Sequence, residues 1–104
     1  MAFLTLQQVK LRLKLEHDDE DDDLQLLIDA AFSNFEDVTN RKLYESDATI
    51  PDDVLNGINI NPSIIQGALS LIAYWHENPE TAGSPDLPKS TMWAWNRHRF
   101  INVG

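Results

Sequence analysis

The chain has 104 residues, of which 42% are hydrophobic and 24% charged, a composition typical of one folded domain and not of a disordered tail. Eight Lys and Arg against seventeen Asp and Glu give a net charge of −9, which argues against sequence-independent binding to DNA phosphates. The lack of cysteine excludes disulfide frameworks, thiolate nucleophiles and cysteine-ligated zinc. Because the sequence carries neither a signal-peptide pattern nor an apolar run of the ~20 residues that span a bilayer, we expect a soluble protein that is intracellular when made.

Two helices are predicted in the first forty residues. Thr5 and Gln8 have the spacing of a capping box, and Leu4 and Val9 that of a hydrophobic staple, so the first helix runs to about Arg12. An extended stretch should follow, because apolar and basic residues alternate from 10 to 15. Seven acids in residues 16–23 then precede an amphipathic pattern. We expect Asp18 or Asp19 to cap a long second helix that ends near Thr39-Asn40.

The rest of the chain adds two more helices. Residues 44–61 are predicted to be irregular, with at most a minor hairpin. Asn61-Pro62 begins a third, strongly apolar helix that Asn78-Pro79 ends, and Pro88 begins a short fourth helix to Arg97. The fold class is therefore all-α, a small single-domain bundle of about four helices, two of them long and central. The predicted core consists of Leu27, Ile28, Ala31, Phe35, Ile65, Ala68, Leu69, Ile72 and Trp75.

No motif supports catalysis, a metal or a cofactor. A calcium-binding loop starting at Asp19 would have Leu24 at its glycine position and Ala30 at its bidentate position, so helix capping is the better explanation of the acids. A zinc-protease helix starting at His76 would need its second histidine where Glu80 stands.

Trp93 and Trp95 are one residue apart and cannot lie on the same buried helix face. One of them should be partly exposed in a monomer, unless the tail or a neighbour covers it. The exposed tryptophan, together with Arg97 and Arg99, would have the composition of a protein-binding hot spot. The alternative is that the short helix packs both rings against core and loop. The apolar residues after Arg99 have no evident core, so the C-terminal segment should be mobile in the free protomer and ordered on a partner.

The order of these features resembles the head–tail connector (adaptor) family of long-tailed bacteriophages and prophages, which are also described as DNA-packaging proteins. The resemblance covers roughly residues 3–99, and its most specific parts are Asp18-Asp19-Glu20-Asp21 and Tyr74-Trp75-His76-Glu77-Asn78. It also includes the capped segment Leu4 to Lys10, the helix end Thr39 to Leu43, and Leu87-Pro88 before Arg97-His98-Arg99. The sequence departs most from the family pattern at Trp93-Ala94-Trp95 and in residues 44–61.

The resemblance implies a structural protein of the virion, present in the host cytoplasm before assembly, that forms a ring of roughly a dozen copies through closing head-to-tail contacts. The ring would dock beneath the portal protein, extend the DNA exit channel without binding DNA, and receive the stopper or tail-completion protein; no membrane is involved. The residues expected to dock on the portal are Trp93, Trp95, Arg97, Arg99 and Phe100. Those expected to supply helix-cap or channel charge are Asp18, Asp19, Glu20, Asp21, Asp22 and Asp23.

Two other classes of protein stay open at this point. An acidic regulatory protein that mimics DNA would spread its carboxylates over a surface, whereas here seven stand at one helix start. A small enzyme or a metal-dependent regulator would need a competent site, and the sequence offers none. The mass in solution helps to discriminate, because a DNA mimic is usually a monomer or dimer, whereas a connector forms rings or stays monomeric until it meets the portal.

Overall fold

A computed structural model describes residues 3–16, 19–82, 84 and 87–100. Within these residues the chain is mostly helical, as predicted, with one very small sheet. The helices are α1 (Leu6–Leu13), α2 (Asp21–Thr39), α3 (Pro62–Glu77) and α4 (Lys89–Asn96), with a 3₁₀ turn at Pro79–Thr81. The strands are β1 (Lys42–Tyr44) and β2 (Gly57–Asn59).

Local sequence signals set the helix boundaries. The Gln8 backbone N–H donates to Thr5 Oγ1 at 3.2 Å and the Thr5 N–H donates to Gln8 Oε1 at 2.8 Å, which completes the predicted capping box. α1 ends at Leu13, because Lys14 adopts the left-handed conformation with φ 60°. At α3, the Ile64 N–H donates to Asn61 Oδ1 at 3.0 Å. The predicted boundaries of α1 and α3 are thus confirmed to within about one residue.

The connection between α2 and α3 differs from the prediction. Residues 42–44 pair with residues 57–59 as a parallel sheet, with Leu43 opposite Ile58, where we predicted irregular structure or a hairpin. The intervening segment 45–56 turns back over this pair. The Asn59 side chain holds it by donating to the carbonyls of Glu45 and Ala48, at 2.6 and 2.9 Å. A long return loop of this kind lets two short strands run parallel.

The core lies between α2 and α3 and extends to α1 and α4. Its buried apolar residues are Leu4, Val9, Leu24, Ile28, Ala31, Phe32, Phe35, Leu43, Ile60, Ile64, Ala68, Leu71, Ile72, Trp75 and Trp95. Six of the nine predicted core residues are among them. The other three, Leu27, Ile65 and Leu69, are only partly buried and pack against its edge, because each lies on the flank of its helix and not on the face turned inward.

α4 packs against α3 through Thr91 and Trp95, which are both fully buried. The Thr91 hydroxyl donates to the Gly67 carbonyl at 3.0 Å, and Trp95 Nε1 donates to the Ile64 carbonyl at 3.1 Å. The Trp95 ring also meets Phe35 of α2 edge to face, with centroids 5.2 Å apart. α4 is therefore an integral part of the bundle.

Candidate docking surfaces

The outer face of α4 combines an exposed tryptophan with basic residues. Trp93 is 75% exposed, because Thr91 and Trp95 occupy the face turned toward α3. Lys89 and Arg97 are exposed as well, and they stand four residues before and four residues after Trp93. Residues at this spacing lie on one side of a helix. We call Lys89, Trp93 and Arg97 the α4 stripe.

The two neighbouring tryptophans have different environments. The prediction that one of them is exposed is confirmed for Trp93. Trp95 was predicted to take part in docking, but its side chain has no exposed surface and its only indole donor is used within the core. Its burial against Phe35 and α3 therefore removes Trp95 from any surface that this protomer presents. Lys89 takes its place beside Trp93, and the four-residue spacing could have identified it from the sequence.

The chain end after α4 is attached to the end of α2. The Phe100 backbone N–H donates to the Thr39 carbonyl at 2.7 Å, and Arg41 Nε donates to the His98 carbonyl at 2.7 Å. The Arg41 guanidinium also lies 5.2 Å from the centre of the Phe100 ring. The prediction that this segment lacks partners in its own chain is thus wrong for Phe100. Residues 101–104 lie outside the described residues.

Charged and polar groups surround His98 at this junction. His98 Nε2 lies 3.3 Å from the Ser63 hydroxyl at the start of α3. Burial, reinforced by the nearby guanidinium groups of Arg97 and Arg41, lowers the pKa of His98 below its usual value of 6.5. Arg97 and Arg99 are exposed on either side of it. The result is a positively charged outer surface at the carboxyl end of the chain.

The acidic segment caps α2 in a different register from the predicted one. α2 begins at Asp21 with Glu20 at the cap position, and the Glu20 side chain makes no capping hydrogen bond. Neither Asp18 nor Asp19 is therefore the cap residue, and Asp18 lies outside the described residues. The acids of the first turn, Asp21, Asp22 and Asp23, complement the positive end of the helix dipole instead.

Two acids at the start of α2 contact side chains of other helices. Asp21 Oδ1 lies 3.0 Å from Nζ of Lys10, a lysine of α1 that is only 8% exposed. Glu20 Oε1 lies 3.0 Å from His76 Nε2 in the last turns of α3. These contacts fix the start of α2 between α1 and α3, whereas Asp22 and Asp23 remain exposed.

An apolar groove of about 300 Å³ opens between the start of α2 and the end of α3. Leu24, Leu27 and Trp75 give it apolar walls, and Glu20 and Asp23 add acidic groups. Its other lining residues are Leu26, His76, Pro79 and Ala82. Leu26 is 65% exposed. The sequence does not predict this groove, because the groove depends on how the two helix ends meet in space.

In the part of the chain that the structure describes, no cluster of three or more His, Asp or Glu side chains could hold a metal ion. Nor does any helix there have both the length and the apolar character needed to cross a membrane.

Comparison with protein families identifies the relatives of this chain. The family model for phage gp6-like head-tail connector proteins matches residues 3–86, a segment that contains α1, α2, both strands and α3. The chain belongs to this family. The predicted resemblance is confirmed, and the family assignment makes the chain a structural component of phage particles. Comparisons with curated proteins and with solved structures gave no match.

The two candidate surfaces of this connector lie differently with respect to the family match. The α2–α3 groove is built entirely from matched residues, whereas the α4 stripe begins after residue 86. The match ends at residue 86, whereas the predicted resemblance extends to about residue 99. Trp93-Ala94-Trp95 therefore lies outside the match, and residues 44–61 lie within it.

Proposed function

We propose that the chain forms a ring of roughly a dozen copies between the phage head and tail, through closing head-to-tail contacts. The ring docks beneath the portal protein, continues the DNA exit channel, and receives the stopper or tail-completion protein. The single observation that carries this proposal is the family match over residues 3–86.

The charge of the protein supports a channel through which DNA slides. The net charge is −9 per chain, and Asp19 and Asp22 at the start of α2 are exposed. Carboxylates repel DNA phosphates and displace no counterions from them, so a duplex does not adhere to such a wall. We assign the acidic segment 18–23 to this wall, with the acids of the first turn also stabilising the α2 dipole.

We assign the portal contact to the carboxyl end of the chain. Arg97 and Arg99 are exposed there, and the backbone of residues 98 and 100 is attached to α2 through Arg41 and Thr39. An arginine pair on an anchored segment offers exposed donors for the carboxylates of a partner at a small cost in conformational entropy.

The test is a complementation experiment with particles that lack this connector. We expect particles without it to package DNA and then release it, because the channel has no stopper beneath it. A chain truncated after Asn96 keeps Trp95 and should retain a cooperatively melting bundle, but it should lose co-sedimentation with the portal and fail to complete infectious particles.

A charge reversal separates docking from folding. Arg99→Glu leaves every described side-chain contact of the bundle in place and should abolish portal co-sedimentation. Lys42→Glu, at another exposed basic position, is the matched control and should retain it. Infectious particles completed by the truncated chain would place the portal contact elsewhere. Of the basic cluster Lys10, Arg12 and Lys14, only Arg12 and Lys14 are exposed, so the contact would then lie at the end of α1.

A further inference from the structure

The α2–α3 groove and the α4 stripe have complementary chemistry. The groove has an apolar floor with Glu20 and Asp23 at its edge, and the stripe presents one exposed indole between two exposed cations. A cavity of about 300 Å³ is at the lower end of the sizes that hold organic ligands, so one large aromatic side chain is an appropriate occupant.

The stripe cannot reach the groove of its own chain. α4 runs antiparallel to α3, since Thr91 contacts Gly67 and His98 contacts Ser63. The stripe therefore extends toward the amino end of α3, whereas the groove lies at its carboxyl end, beside His76. At 1.5 Å per residue, Ser63 and His76 are about 20 Å apart along α3. Moreover, Trp93 lies on the face of α4 opposite to the one that packs on α3.

We propose that Trp93 of one copy inserts into the α2–α3 groove of the next copy, with Lys89 and Arg97 facing the acidic edge formed by Glu20 and Asp23. The α4 stripe and the α2–α3 groove lie at opposite ends of α3, so their contact between two copies is head-to-tail. Repeated head-to-tail contacts close into a ring when a whole number of the rotations between neighbouring copies makes one full turn. This inference rests on the proposed ring, and names the surfaces through which its subunits meet. It moves Trp93 and Arg97 from the portal contact to the subunit contact and leaves Arg99 for the portal.

Charge complementarity favours a second copy over another occupant. The whole protein is strongly acidic, so most of its surface would repel the groove edge, and the α4 stripe is an exception. The insertion would also cover two of its most exposed apolar side chains, Trp93 and Leu26. A buried tryptophan flanked by cations is a composition enriched in binding hot spots.

Chemical cross-linking tests the contact directly, because the chain contains no cysteine of its own. Ala82→Cys places a thiol in the groove, and Asn96→Cys places one on α4 beside Trp93, which it leaves intact. We expect a short bismaleimide to link the two variants when they are mixed, and to link neither variant to itself. Ala82→Cys mixed with Leu55→Cys, an 82% exposed position in the loop between the strands, is the control and should stay unlinked.

Substitutions provide a second test, read by sedimentation at concentrations at which the parent chain self-associates. Trp93→Ala should raise the dissociation constant about 30-fold, the loss typical of a hot-spot tryptophan, and Leu55→Ala should leave it unchanged. Asp23→Lys and Arg97→Glu should each weaken self-association, and the double variant should restore it. Because all four side chains are exposed, far-UV circular dichroism and melting temperature should stay close to those of the parent.

The cross-linking results and the location of the chain in the particle test the subunit contact and the proposed connector function separately. If the chain is found at the head–tail junction but Ala82→Cys and Asn96→Cys are not linked in assembled particles, the inference is wrong and the connector role stands. Linking of Asn96→Cys to itself would indicate a two-fold contact and would also overturn it. If the mixed variants are linked in solution but the chain is absent from the junction, the subunit contact stands and the proposed function falls.

Discussion

The indole of Trp95 occupies the space that a side chain at position 67 would fill. A Cβ added to Gly67 would lie 2.7 Å from Cδ1 of Trp95, closer than side-chain atoms approach one another, and still nearer to Nε1. The same indole donates its N–H to the carbonyl of Ile64, one turn earlier on α3. Gly67 therefore fixes how closely α4 approaches α3.

Gly67→Ala should destabilise the protein, although alanine is the better helix former by about 1 kcal/mol. Displacing the Trp95 ring breaks its hydrogen bond and its contact with Phe35, and overpacking a tight core typically costs 1–3 kcal/mol. Chemical denaturation should show a net loss of about 1–2 kcal/mol. The control is Ser33→Ala on the exposed face of α2, which should be neutral or slightly stabilising. Equal stability of Gly67→Ala and the parent would mean that α4 is loosely attached.

Two leucines of α3 form a matched pair for locating the core. Leu71 is fully buried, whereas Leu69 is only partly buried at the edge. Leu71→Ala should cost 2–5 kcal/mol, as for other fully buried leucines, and Leu69→Ala should cost about 1–2 kcal/mol, because less apolar area is lost. Denaturant titration of both variants measures the difference. A larger loss at Leu69 would contradict the observed orientation of α3.

The elements that the sequence predicted well are those with local signals. Thr5 with Gln8, and Asn61 with Pro62, satisfy backbone groups within a few residues of themselves, so spacing alone identifies them. The parallel pairing of β1 and β2 has no such signal. It depends on a loop whose shape is fixed by contacts of Asn59 with Glu45 and Ala48, and these contacts form only after the chain has folded back.

The ion pair between Lys10 and Asp21 is the next feature that can be tested. Lys10 is almost fully buried, so removing the Asp21 carboxylate takes away a counter-charge from a poorly solvated ammonium group. Asp21→Asn should lower the free energy of unfolding by about 1–3 kcal/mol. Asp22→Asn also removes one acid from the first turn of α2, but the Asp22 side chain is exposed. This substitution should therefore lower the free energy of unfolding by no more than the roughly 0.3–1 kcal/mol that a carboxylate contributes at the end of a helix dipole.

A second background isolates the pair itself. With Lys10→Met in place, the cost of Asp21→Asn should fall to that of Asp22→Asn, because Asp21 then has no buried ammonium group to neutralise. An unchanged cost in that background would show that Asp21 stabilises α2 without help from Lys10.

The candidate surfaces were less predictable than the helices. The exposure of one tryptophan followed from spacing alone, but which of the two rings is buried depends on Gly67, whose missing side chain admits Trp95 and turns Trp93 outward. The groove was not predictable, because Leu24 and Trp75 are far apart in sequence and both belong to patterns that indicate ordinary core residues. No partner for Phe100 is evident in the sequence, because Arg41 and Thr39 stand about sixty residues before it.

The acids at residues 18–23 should act as helix and surface charge and not as calcium ligands. Two of them, Glu20 and Asp21, lie 3.0 Å from His76 and Lys10, and carboxylates that already contact side chains of other helices are poor candidates for a shared calcium site. Millimolar calcium should raise the melting temperature no more than a sodium salt of equal ionic strength, since screening is the only effect expected. A calcium-specific shift that saturates at micromolar concentration would overturn this assignment.

The stability of the protein should fall as the pH drops through the titration range of His98. Its pKa in the folded chain is lowered from 6.5 by burial and by Arg97 and Arg41, so below about pH 6.5 the unfolded chain binds more protons than the folded one. The stability contributed by neutral His98 is therefore complete above pH 6.5 and is lost as the pH falls toward the lower folded pKa. In His98→Gln, position 98 no longer titrates, so unfolding free energies measured from about pH 7.5 to 5.5 should decline less steeply than in the parent. Asn96→Gln, a neutral change at the exposed end of α4, is the control, and its free energy of unfolding should change with pH as steeply as that of the parent. If His98→Gln has the same pH dependence as the parent, His98 is freely solvated in the folded chain.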